Sequence, residues 1–117
     1  SPMDEIQRYK IIYTETATCD MEEKADYISL QLQEPILAER WYLNLRADIQ
    51  QNLSFLPFKY PAYPVEPWAS RGIRMFSTSN DVILYSVDDT VKTVYIRGVC
   101  TKGRDLTAHL EEQDSLK

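Results

Sequence analysis

Four prolines, Pro57, Pro61, Pro64 and Pro67, punctuate the stretch "PFKYPAYPVEPW" that runs from residue 57 to residue 68. Each lacks a backbone N–H and holds φ near one value, so neither a helix interior nor a central strand can pass through this stretch. The chain is thereby cut in two, and its regular structure must be found before Pro57 or after Trp68. Phe58, Tyr60, Tyr63 and Trp68 alternate with the prolines. They read as rings that pin a stiff connecting loop to the domain, the alternative being an aromatic platform on which bases or a peptide stack.

Before the cut, "YKIIYT" alternates Tyr9, Ile11 and Tyr13 with Lys10, Ile12 and Thr14, the period of a strand. Thr14 or Thr16 can then cap a helix with a side-chain oxygen. Ala17, Met21, Ala25, Ile28 and Leu32 recur at spacings of four or three and predict the buried stripe of that helix, with Asp20, Glu22, Glu23 and Asp26 facing outward. Pro35 suits the first position of a second helix, whose stripe is Ala38, Trp41, Leu45, Ile49, Leu53 and Leu56. A link of a few residues around Gln33 and Glu34 makes the pair an antiparallel hairpin.

After the cut, "IRMFST", "VILYSV" and "KTVYIRGVC" are separated by "SND" and "DDT", which supply turn residues. Three strands in a meander follow. Strand, helix, helix, meander defines an α+β fold: an antiparallel helix hairpin packed on one face of a mainly antiparallel sheet whose outer surface is left free for a partner. The 117 residues suit one domain, with residues 1–8 and 107–117 peripheral to it.

The net charge of −5 is unevenly spread. Residues 1–56 carry five basic and ten acidic side chains, residues 57–104 seven and four, and residues 105–117 one and four. Only the middle segment is basic, so a field able to hold many phosphates would be weak and local. Cys19 and Cys100 stand far apart with a single histidine in the chain, which points to two reduced structural thiols and to neither a disulfide framework nor a metal site. No run approaches the roughly 20 apolar residues of a membrane helix, and no signal-peptide pattern opens the chain, so a cytoplasmic protein without membrane contact or small-molecule cofactor is expected.

The order of "YKIIYTETATCDMEEKADYIS", "AERWYLNLRADIQQNLSFLPFKYP", "RGIRMF" and "DVILYSVDDTVKTVYIRGVCTKGRDL" over residues 9–106 resembles the RelE/ParE superfamily, the toxin halves of bacterial type II toxin–antitoxin systems. The resemblance implies a growth inhibitor neutralised by a cognate antitoxin. It implies one of two targets: DNA gyrase for ParE-like members, or the ribosome with its mRNA, which RelE-like members cleave. A relative that only binds antitoxin is a further possibility.

RNA cleavage requires activation of a 2′-hydroxyl, cations on the phosphate and a proton donor for the leaving oxygen. RelE-like nucleases place an arginine early in the strand that reads "VILYSV", and the matching residue is Val82. The remaining candidates for a RelE-like catalytic set are Arg74, Lys102, Arg104 and His109, while Tyr85 and Tyr95 read as core or sheet-surface residues. Arg104 and Asp105 also suit a local ion pair closing the last strand. The departures from the nuclease pattern favour the ParE-like reading.

Overall fold

The computed structural model describes residues 8–103 and Glu111. The elements are β1 (Lys10–Tyr13), α1 (Glu15–Asp26), a π-helical turn (Tyr27–Gln31), α2 (Pro35–Leu53), a 3₁₀ turn (Pro57–Lys59), β2 (Arg74–Ser77), β3 (Asp81–Asp88) and β4 (Thr93–Thr101). Thr14 caps α1, its hydroxyl accepting from the Ala17 N–H at 3.2 Å. Pro35 opens α2 as expected. Between them the chain reverses over three residues: Leu32 N–H donates to the Tyr27 carbonyl, Glu34 N–H donates to the Ile28 carbonyl, and Gln33 takes φ +54°. That is the left-handed closure usually given to glycine at a helix end.

The sheet order is β1-β4-β3-β2, with β1 parallel to β4 and the other pairs antiparallel. The meander closes through polar turns: Thr78 N–H donates to the Asp81 carbonyl, and the Asp88 carboxylate accepts from the N–H groups of Thr90 and Val91. Ala17, Met21, Leu45, Ile49 and Leu53 of the helices bury against Phe76, Ile83, Tyr85, Val94, Ile96 and Val99 of the sheet. Burying each such aliphatic side chain contributes about 1.5–3 kcal/mol, which makes this layer the main source of stability.

Three expectations need correction. The outer sheet face is not left free along β2 and β3, because Tyr63 and Trp68 of the proline segment pack there with Ile73, Val82 and Leu84 in a second buried cluster. The same segment covers the edge of β2 through Tyr63 N–H to the Ile73 carbonyl and Met75 N–H to the Pro61 carbonyl. Second, both helical stripes are shorter than their periodicity suggests. The π-helical turn rotates Leu32 away from the core, and Leu56 lies past the end of α2 at φ +48°, so both side chains face solvent. Third, Cys19 is exposed on α1 and not a packing residue, whereas Cys100 is buried; neither is in a disulfide.

Candidate functional site

Arg74 opens β2, between the bulk of the sheet and the end of the 3₁₀ turn. One guanidinium nitrogen donates to the carbonyls of Tyr60 (2.6 Å) and Phe58 (3.2 Å), and the guanidinium carbon lies 5.1 Å from the centre of the Phe58 ring. The side chain therefore ties the start of the proline segment to the sheet. Beside it, Tyr85 is fully buried and its hydroxyl donates to the Pro57 carbonyl at 2.6 Å. Desolvation holds this phenol well above the ordinary range, more than the opposing charge of Arg74 lowers it, so at neutral pH it is a fixed donor. Arg74→Ala should lower stability by about 1.5 kcal/mol through loss of charged hydrogen bonds, read as a shifted urea midpoint at unchanged m value. An unaltered midpoint would show the clamp to be dispensable.

Lys102 is exposed past the end of β4, where its N–H donates to the Asn80 carbonyl. Arg74 stands opposite Tyr85 in the ladder. Five residues of β3 and its turn separate Tyr85 from Asn80, so the two backbones lie about 17 Å apart along the strands. The fold does not bring them to one point. Val82, at the position of the nuclease arginine, is buried in the cluster under Tyr63 and Trp68. Arg104 and His109, like the proposed pair of Arg104 with Asp105, lie outside the described residues.

The sheet also assembles a polar group around Arg97, between β3 and β4. Leu84 pairs with Gly98 and Tyr85 with Ile96, which leaves Arg97 as the extra residue of a β-bulge. Its Nε donates to the Ser86 hydroxyl at 3.0 Å and its guanidinium carbon stands 5.3 Å from the centre of the Tyr95 ring. All three are half-buried. The glycine inside the strand pattern of "YIRGVC" is the signal that could have located the bulge.

A second junction joins both helices to the sheet. The buried Asp81 carboxylate accepts from Lys24 Nζ of α1 and from Trp41 Nε1 of α2 (2.8 Å), and Lys24 also donates to Thr101 at 2.9 Å. Nearby, Asp20 accepts the Val99 N–H at 3.0 Å, beyond the point where β1 stops pairing with β4. Among the described residues no cluster of three or more His, Cys, Asp or Glu could hold a metal ion. No described helix is long and apolar enough to cross a membrane.

No protein-family model matches the chain, and no curated protein matches it in sequence. Solved structures do match. A chain of the toxin–antitoxin complex RelBE2 from Mycobacterium tuberculosis superposes with a TM-score of 0.64 at 20% identity, over 86% of this chain and 98% of that one. A chain of the chromosomal ParDE toxin–antitoxin system from P. aeruginosa gives 0.62 at 17% identity, over 80% and 96%. The two helices on a four-stranded mixed sheet are thus the RelE/ParE-like α+β fold that the order of sequence segments implies.

Proposed function

We propose that this chain is the toxin half of a toxin–antitoxin pair, held inactive by a cognate antitoxin and, once free, arresting growth in the ParE manner by binding DNA gyrase. The likeness to chains of the RelBE2 and ParDE complexes supports the toxin–antitoxin part. The choice of a protein target over RNA rests on one observation: the Arg74 guanidinium is engaged by the Phe58 and Tyr60 carbonyls, far along the strands from Lys102. A nuclease must converge cations and a proton carrier on one phosphate, because charge develops there in the transition state. The acidic first half of the chain also disfavours a deep seat among ribosomal phosphates, within the roughly 8–10 Å over which such charges act.

The purified chain at micromolar concentration should block supercoiling by gyrase and leave message intact in cell-free translation. Intact supercoiling together with cleaved message would reverse the assignment. A message cleaved by the wild type and spared by a variant lacking Arg74, Lys102, Arg104 and His109 would place the nuclease set on those residues.

A further inference from the structure

The exposed apolar side chains of this molecule are not scattered. Of the nine large ones among the described residues, five (Tyr27, Leu30, Leu32, Ile36 and Leu37) sit at the tip of the helix hairpin and two (Leu56 and Phe58) at the 3₁₀ turn. An eighth, Leu43, lies on α2 between the two groups. Single exposed apolar residues need no explanation, but a grouping of this kind marks a surface that meets another molecule.

α2 holds the two groups apart. Its 19 residues span about 28 Å, with the hairpin tip at its start and the 3₁₀ turn just past its end. Ile36 and Leu43 are nearly two helical turns apart and so share one face of α2, opposite the buried Ala38, Leu45 and Ile49.

The two ends differ in charge. At the tip, Glu22, Glu23, Asp26, Glu34 and Glu39 are exposed, against the bases Arg40 and Lys24, the latter already bound to Asp81. The far end is cationic. No carboxylate occurs between Ile49 and Val65, and Arg8, Lys59 and Arg74 stand over the rings of Phe55, Tyr60 and Phe58. Lys59 and Arg74 donate to backbone carbonyls, which fix the two cations and leave their charge uncancelled. One helix thus carries an acidic apolar surface at its start and a basic apolar surface at its end.

That complementarity selects the occupant, because each end is what the other recognises and a second copy supplies both. Tip on tip, or turn on turn, would set like charges together. A two-fold axis beside the middle of α2 instead sets tip against turn twice, and it brings the exposed Leu43 of each copy towards the axis.

We infer that the free chain forms a two-fold dimer in which the acidic hairpin tip of each copy covers the basic 3₁₀ turn of the other, with the two α2 helices antiparallel. The dimer stands independently of the toxin reading, since both of its surfaces belong to this chain.

Sedimentation of the full chain tests it. At about 0.05 M salt the wild type should dimerise with a dissociation constant of about 10 µM, and raising the salt to about 0.5 M should weaken the dimer at least about fivefold. Reversing the tip (Glu23→Lys with Asp26→Lys) or the turn (Arg8→Glu with Lys59→Glu) should each weaken it at least about tenfold. An equimolar mixture of the two variants should dimerise again within about threefold of the wild type, because each reversed end then meets an end of opposite sign. Leu30→Gln, at an exposed site, should weaken the dimer by about threefold or more. Helical circular dichroism confirms that each variant is folded; where Lys59→Glu loosens the end of α2, Arg8→Glu alone takes its place.

A wild type still monomeric at about 100 µM overturns the inference and leaves both surfaces to partners of other chemistry. So do a dimer that survives both charge reversals, a mixture of folded variants that stays monomeric, and a species larger than two.

Discussion

Trp68→Ala should unfold at a markedly lower urea concentration than the wild type, with a loss of about 3–5 kcal/mol, the usual cost of deleting a buried aromatic ring. Trp68 is 5% exposed and stands edge-on to Tyr63, with ring centres 6.2 Å apart. Together they form the lid of the cluster that includes Val82 and Leu84. The change removes more than its own ring. It leaves β3 with an uncovered apolar row, so the variant should also bind more of a hydrophobic dye than the wild type does. Trp68→Phe should cost only about 1 kcal/mol, because the buried indole N–H has no hydrogen-bond partner among the described residues and its removal relieves a desolvated donor. A Trp68→Ala protein as stable as the wild type would mean that the proline segment lies loosely on the sheet, contrary to its packing.

The second large effect belongs to Asp81. Its substitution by alanine strips Lys24 and Trp41 of their shared acceptor at a site where the carboxylate is almost wholly buried. Breaking a buried pair from one side costs about 3–5 kcal/mol, and the fifth of Lys24 that remains in water argues for the lower end, about 3 kcal/mol. Asp81→Asn keeps an acceptor for the indole and should lose roughly half as much. Replacing both ends, Lys24→Met with Asp81→Leu, should recover most of the loss, since an apolar pair of similar volume leaves no stranded charge. Equilibrium denaturation of the three variants separates these outcomes. If Asp81→Ala alone shifts stability by less than about 0.5 kcal/mol, the junction does not tie the helices to the sheet.

The order and type of the elements were legible because each rests on a local signal. Thr14 as a cap, Pro35 as a helix opener, and the alternation through Ile83, Leu84 and Tyr85 act over a few residues, and neighbours alone decide them. The same periodicity overran at both helix ends. Leu32 and Leu56 continue their stripes on paper, but a π-helical turn and a left-handed residue rotate them into solvent. The candidate site was less legible still. Arg74 stood among the candidates for a RelE-like set because a cation in a sequence has no visible partner; in the fold its guanidinium engages carbonyls 14 and 16 residues away. The Asp81 junction was invisible for the same reason, since 57 residues separate Lys24 from Asp81 and 40 separate Trp41 from it.

From its amino acids alone, this chain was bound to place two helices before the proline segment and a meander after it, with its carboxylates gathered along the first helix. Proline geometry, capping and period are properties of short stretches. Only the tertiary structure decided which sheet face the proline segment covers, which basic residues are engaged, and which apolar ones remain open to a partner. Those outcomes depend on side chains meeting across dozens of residues, where desolvation and packing, and no local propensity, set the balance.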